Sequence, residues 1–142
     1  MKTFKTLYAI GFIAFLIPIS SCKDDSETTE CLTDMKHIAG TYSFGSMIYK
    51  GSPSSAPEDW FDACDKDNTL ELTADGRGIV TDTGVKCDPE SSSTFTWSVS
   101  GNQILSSDGD GTIKSFDCKT LVLSNKDVMV QGDEVIITYI RK

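Results

Sequence analysis

The sequence predicts an all-β domain, an antiparallel up-and-down sheet of about eight short strands that closes into a small barrel. Three observations carry this. "TFTWSV" alternates strictly, with Phe95, Trp97 and Val99 on one face and Thr94, Thr96 and Ser98 on the other, as a strand with one buried side requires. Turn chemistry recurs at close spacing, at Asp75-Gly76, Ser100-Gly101-Asn102, Asp108-Gly109-Asp110-Gly111, Asn125-Lys126-Asp127 and Gln131-Gly132-Asp133. No segment after the leader has helical periodicity, apart from a short turn at Thr33–Ile38. A meander of this many strands loses its sticky edges by closing on itself, and an open sandwich of two sheets is the competing architecture.

The chain opens with a basic pair, Lys2 and Lys5, followed by a charge-free run, "LYAIGFIAFLIPI", over Leu7–Ile19. A bilayer-spanning helix needs about 20 apolar residues, so this shorter run suits the apolar part of an export signal. Small residues Ser20 and Ser21 close it, and Cys22 follows. Ile19-Ser20-Ser21-Cys22 resembles the lipobox of bacterial lipoproteins. That resemblance implies removal of residues 1–21 and acylation of Cys22, the new N-terminus. Two or more acyl chains hold a protein on a bilayer stably where one does so only marginally. Lys23-Asp24-Asp25 resembles an acidic export signal of Gram-negative surface lipoproteins, which implies the outer membrane and a cell-surface orientation, with the periplasmic face as the other option. Residues 22–30, "CKDDSETTE", otherwise read as a polar tether unable to bury a core.

Residues 31–142 remain as a single domain by size. "TYSFGSMIYK" starts the strand series, with Tyr42, Phe44 and Ile48 on one parity, and "TLELT" places Leu70 and Leu72 together. Beyond "TFTWSV", the segments "QIL", "TIKSFDC", "KTLVLSN", "DVMVQ" and "EVIITYIRK" continue it. One long loop, Ser52–Asp67, is rich in Ser, Pro and acid and holds Trp60, Phe61 and Cys64.

The formal net charge is −8, and loss of Lys2 and Lys5 with the leader makes it −10. Such a balance argues against nucleic acid and against electrostatic binding to anionic lipid, both of which need basic patches. After Cys22 there remain Cys31, Cys64, Cys87 and Cys118, an even set that reads as two disulfides in an exported domain. Four cysteines allow three connectivities. Asp75-Gly76 is a two-residue hairpin signal, and in such a hairpin cross-strand partners have numbers summing to 151, as Leu72 and Ile79 do. Cys64 and Cys87 share that sum, so the preferred pairs are Cys64–Cys87 and, by elimination, Cys31–Cys118. Each bridge contributes about 3–5 kcal/mol in the loop-entropy account.

"IAGTY" at the first strand, "CDKDNTLELTADG", "KCDPE", "FTWSVSGNQIL" and the closing "VIITYIRK", taken in order, resemble the lipocalin-like domain lipoproteins. The resemblance spans roughly residues 31–142 and implies an antiparallel barrel of about eight strands. Lipocalins mark their first strand with Gly-x-Trp, and here Gly40-Thr41-Tyr42 keeps the glycine with Tyr in the aromatic place. An arginine near the last strand packs over that aromatic in the wider group, and Arg141 matches it. Gly40, Tyr42 and Arg141 are therefore expected to close the base of the barrel.

Little else promises chemistry. His37 is the one histidine and has no neighbouring nucleophile motif, and there is no Cys-x-x-Cys. Asp65-Lys66-Asp67-Asn68 starts like a calcium loop, but Leu70 stands where its glycine belongs; from Ser106, residues Asp108, Asp110, Gly111 and Asp117 fall at loop spacing, yet Ser106 and Asp117 replace the first and last ligands. A tight turn accounts for the same residues. No enzyme, no metal and no cofactor are expected. Two functions remain. The barrel binds a small apolar or amphipathic ligand, lined by Phe44, Leu72, Ile79, Phe95, Trp97 and Ile137, or those residues fill a solid core. In the other, it is a rigid display module whose Ser52–Asp67 loop, through Trp60 and Phe61, binds a protein or glycan partner.

Overall fold

The computed structural model describes residues 31–51 and 62–142. A single helical turn, α1 (Met35–Ile38), leads into eight strands: β1 (Gly40–Lys50), β2 (Thr69–Leu72), β3 (Arg77–Thr81), β4 (Ser93–Ser100), β5 (Gln103–Ser106), β6 (Gly111–Phe116), β7 (Thr120–Lys126) and β8 (Glu134–Arg141). A second turn of helix, α2 (Ala63–Lys66), precedes β2. Each strand pairs antiparallel with the next, and β1 pairs with β8 from Tyr42↔Arg141 to Lys50↔Glu134, so the sheet closes as a barrel. The sandwich is excluded.

Turns alternate between two ends. At the base lie α1, the β2–β3 turn, the β4–β5 turn and the β6–β7 turn. At the mouth lie α2 and three connections, 82–92, 107–110 and 127–133. Cys31–Cys118 ties the segment before α1 to the β6–β7 turn at the base, and Cys64–Cys87 ties α2 to the 82–92 connection at the mouth.

Two local features shift the pattern read from the sequence. The β2–β3 hairpin does not have a two-residue turn. The Thr73 amide donates to the Arg77 carbonyl at 2.9 Å, Gly76 sits at φ +91°, and Leu72 faces Gly78 rather than Ile79. A three-residue loop ending in a left-handed glycine does this by adding one residue to the turn. Partner numbers therefore sum to 150, and the ladder ends at Thr69↔Thr81, short of both cysteines. In β1 a bulge between Phe44 and Ser46 flips the side-chain parity. Tyr42 and Phe44 face inward, but beyond the bulge Met47 and Tyr49 take over, and Ile48 turns out to solvent at 54% exposure. "DVMVQ" is not a strand either. Asp127–Asp133 winds around the buried Asp133 carboxylate, which accepts from the amides of Val128, Met129 and Val130 at 2.7, 2.9 and 3.0 Å. Burial opposes ionisation of Asp133, but those amides outweigh it and hold its carboxyl below the usual range.

The lower half of the barrel is solid. Ile38, Tyr42, Leu72, Trp97, Ile104, Ile113 and Leu121 form one buried cluster. The indole of Trp97 donates to the Thr73 carbonyl at 3.0 Å, which fixes its polar edge at the base. Tyr42 is fully buried, and its hydroxyl donates to the Ile38 carbonyl at 2.5 Å. Arg141 Nη2 then donates to the Tyr42 hydroxyl at 2.8 Å and to the carbonyls of His37, Ile38 and Ala39 at 2.5, 3.1 and 3.1 Å. Its guanidinium lies 5.3 Å from the Tyr42 ring centre and 5.4 Å from that of Phe116, within cation–π range. Gly40 is required beside it, because a Cβ there would stand 2.9 Å from Arg141 Nε.

On the outer wall Glu134 collects the Ser124 hydroxyl at 2.6 Å, Lys114 at 3.2 Å and Lys50 at 3.4 Å. The Ser124 hydrogen bond and the Lys114 ammonium together hold its pKa at about 2, against 4.5 ordinarily. A carboxylate with a depressed native pKa stabilises the fold above its unfolded value and loses that stability as pH falls through the native one.

Two outcomes are expected of denaturation experiments. Tyr42→Phe, which leaves Arg141 and the Ile38 carbonyl short of a partner, lowers the urea unfolding free energy by about 1–3 kcal/mol. Glu134→Gln is less stable than the natural protein at neutral pH, and the gap closes as pH drops from 4.5 to about 2, read from thermal midpoints along a pH series.

Candidate functional site

Above the solid base the barrel is hollow. Two adjoining cavities, of about 270 and 230 Å³, share Leu70, Val80, Asp108 and Tyr139 as walls and form one lumen under the mouth. Only together do the two reach the size range of small-molecule sites, and an eight-stranded barrel has room for one small ligand.

Register explains which side chains reach it. Leu70↔Val80 and Leu72↔Gly78 across β2 and β3, Gly78↔Phe95 across β3 and β4, and Phe44↔Tyr139 across β1 and β8 all lie on the inner face. The Phe95 ring lies over Gly78, where a Cβ would come within 2.2 Å of it, so the glycine lets that aromatic lie flat against the wall. From β7 and β8 come Leu123, Asn125 and Ile137, the first and last opposite each other in the ladder.

Among the residues expected to line a ligand, Phe44 borders the smaller cavity and Leu72, Phe95 and Ile137 border the larger. Two are placed elsewhere. Ile79 pairs with Glu71 and Thr94 on the outer face, because the longer turn moves the register by one and a one-residue slip turns a side chain to the other side. Trp97 belongs to the solid base, beneath the lumen. Leu70, Leu123 and Tyr139 were missed, although each shares strand parity with a residue already named or pairs with one, and Val80 takes the inward place expected of its neighbour Ile79. Asp108 was weighed as a turn residue and as a calcium-loop position; nothing in its spacing marks it as facing a cavity.

The mouth is held rigidly. Besides Cys64–Cys87, Asn68 donates to Ser91 Oγ at 2.8 Å and accepts from the Thr83 amide at 3.3 Å, while Asp67 accepts from the Val85 amide at 2.8 Å. Asp82, almost wholly buried, accepts from the amides of Ser91 and Cys87 at 3.1 and 3.3 Å. The Ser91 amide leads in keeping its carboxyl below the usual range, against the opposing effect of burial. Tyr139, deep in the lumen, has its phenol pushed up by burial and then by the nearby Asp108 charge. On the rim, Val128, Met129 and Val130 stand exposed.

Residues at calcium-loop spacing are not gathered. Asp110 accepts from the Ser106 amide at 2.9 Å at the mouth, whereas Asp117, accepting from Lys119 and Thr120 amides at 3.0 and 2.5 Å, caps the turn at the far end of β6. Cys64, Asp65 and Cys87 bring ligand-type atoms within 4.8 Å of one another, but the two sulfurs are bonded to each other and offer no thiolate. His37 Nδ1 is 2.8 Å from Asp34, which also accepts from the His37 amide at 2.9 Å as the N-cap of α1. That is a structural role. Cys22, Trp60 and Phe61 lie outside the described residues, as do 1–21, the rest of the tether and residues 52–61 of the long loop.

No curated protein matches the chain. The family model of the lipocalin-like domain matches residues 38–127, from the end of α1 through β7. With its closed eight-stranded barrel, solid base and open lumen, the chain belongs to the lipocalin-like domain family.

Proposed function

We propose that this protein is a non-enzymatic binding protein that carries one small apolar or amphipathic ligand in the lumen, and that it does so as a lipoprotein anchored through Cys22 to the outer membrane, facing the cell exterior. The hollow upper half of the barrel carries the ligand reading. A wall of Leu70, Leu72, Val80, Phe95, Leu123 and Ile137 around unfilled volume forgoes packing that a side chain could supply. Occupancy by an apolar group restores those contacts and removes about 25 cal/mol per Å² of apolar surface from water. A few polar groups at the rim are the usual complement of such sites. Support for the anchor comes from the basic start, the apolar run and Ser20-Ser21-Cys22. A second reading, in which the rim contacts a protein partner, is favoured by the exposed Val128, Met129 and Val130 on a loop pinned by Asp133.

The neutral fluorophore N-phenylnaphthylamine tests the lumen. One molecule is expected to bind per chain with enhanced emission. Val80→Trp, which fills the volume that both cavities share, is expected to weaken binding about tenfold or more with the far-UV spectrum unchanged. Undiminished binding by that variant with a folded spectrum refutes the lumen as the site.

A further inference from the structure

The charge of the molecule is unevenly placed. The four described segments at the mouth (62–68, 82–92, 107–110 and 127–133) carry ten carboxylates against two lysines, whereas the base carries similar numbers of both signs. Inside, the contrast is sharper. The described residues lining the two cavities include two carboxylates, Asp65 and Asp108, and no lysine, arginine or histidine. Asp65 is committed to capping α2 through the Asp62 amide at 3.3 Å. Asp108 borders both cavities; its own amide donates to Ser106 Oγ at 3.0 Å, while its carboxylate accepts no hydrogen bond and forms no ion pair among the described residues. Across from it stands the Tyr139 phenol, able to accept or donate. Other uncharged polar groups that line the lumen, Asn68, Thr69, Ser91, Ser93, Ser106 and Asn125, leave the sign of the field unchanged.

A fatty acid entering this mouth would bring its carboxylate toward like charge, with no cation among the described lining residues to receive it. Clefts lined by one sign of charge concentrate ligands of the other sign. We propose that the lumen selects amphiphiles with a positively charged head, of the protonated primary alkylamine kind, over fatty-acid-like anions, with Asp108 receiving the ammonium and the apolar wall receiving the tail. This rests on the lumen being the ligand site. Asp108 is exposed at the rim, so its attraction is that of a solvated charge and is screened by salt.

Titration calorimetry at pH 7 with octylamine, octanol and octanoate separates the terms, since the three share a tail and differ in head charge. Octylamine is expected to bind roughly fivefold or more tighter than octanol, the factor of one contact between unit charges near a solvated surface, and octanoate more weakly than octanol. Asp108→Asn brings the amine-to-alcohol ratio toward one, whereas Glu71→Gln, on the outer wall, leaves it unchanged; added salt shrinks the ratio in the natural protein. Octanoate or octanol binding as well as octylamine overturns the charge selection and leaves the lumen reading standing. Binding of none of the three overturns both.

Discussion

Arg141 is the point through which the rest of the structure is connected. It comes from the last strand, beside Tyr42 of the first, and its one terminal nitrogen meets the three carbonyls at the end of α1 as well as the Tyr42 hydroxyl. Short helices leave their last carbonyls without partners, and here a cation supplies them from a residue about a hundred positions away. Barrel closure, placement of α1 and burial of a tyrosine hydroxyl are thus one arrangement. The aromatic is Tyr rather than the Trp usual in lipocalins, yet the arrangement gains from it: the phenol both donates to Ile38 and accepts from Arg141. Charge-assisted hydrogen bonds of this kind are stronger than neutral ones, so the base is fixed while the upper half is left free of filling side chains.

That division between halves explains a balance that composition alone could not settle. Seven large residues suffice to fill the base, and above them the inner face carries leucines, valine and phenylalanine that do not reach across. The barrel holds its shape there through its ladder and through the tied loops at the rim rather than through a packed centre. Buried Asp82 and Asp133 serve the same purpose. Each gathers backbone amides of a turn that has no ladder of its own, satisfying donors that would otherwise be costly to bury.

Much of this was legible in the sequence, and the failures have specific causes. Strict alternation in "TFTWSV" put Phe95, Trp97 and Val99 on one face, and short strands with frequent turns implied a closed meander. What alternation cannot report is an extra residue. The bulge at Gly45 exchanged Ile48 for Met47 and Tyr49, and the longer turn at Ala74–Gly76 sent Ile79 outward. Both are single-residue events in a period-two pattern, where each one inverts everything downstream. The equal sums that linked Cys64 to Cys87 illustrate the converse: the two are bonded, but through α2 and the 82–92 connection rather than along the ladder. "DVMVQ" has strand composition, and only the carboxylate two residues beyond it reveals a loop. Which inner residues face empty space and which touch one another depends on contacts between distant strands, and local pattern does not contain that.

The base also has a mechanical consequence. The first described residue, Cys31, is bonded to Cys118 in the β6–β7 turn, on the side of the barrel away from β1's own partner β2. Tension applied from upstream of Cys31 therefore passes through the sulfur bridge into that turn before it reaches the start of β1. Unzipping β1 from its neighbours, the weak mode for a strand pulled from its end, is bypassed. The mouth, closed by its own sulfur bridge at Cys64–Cys87, sits at the opposite pole of the barrel from Cys31 and is spared that load.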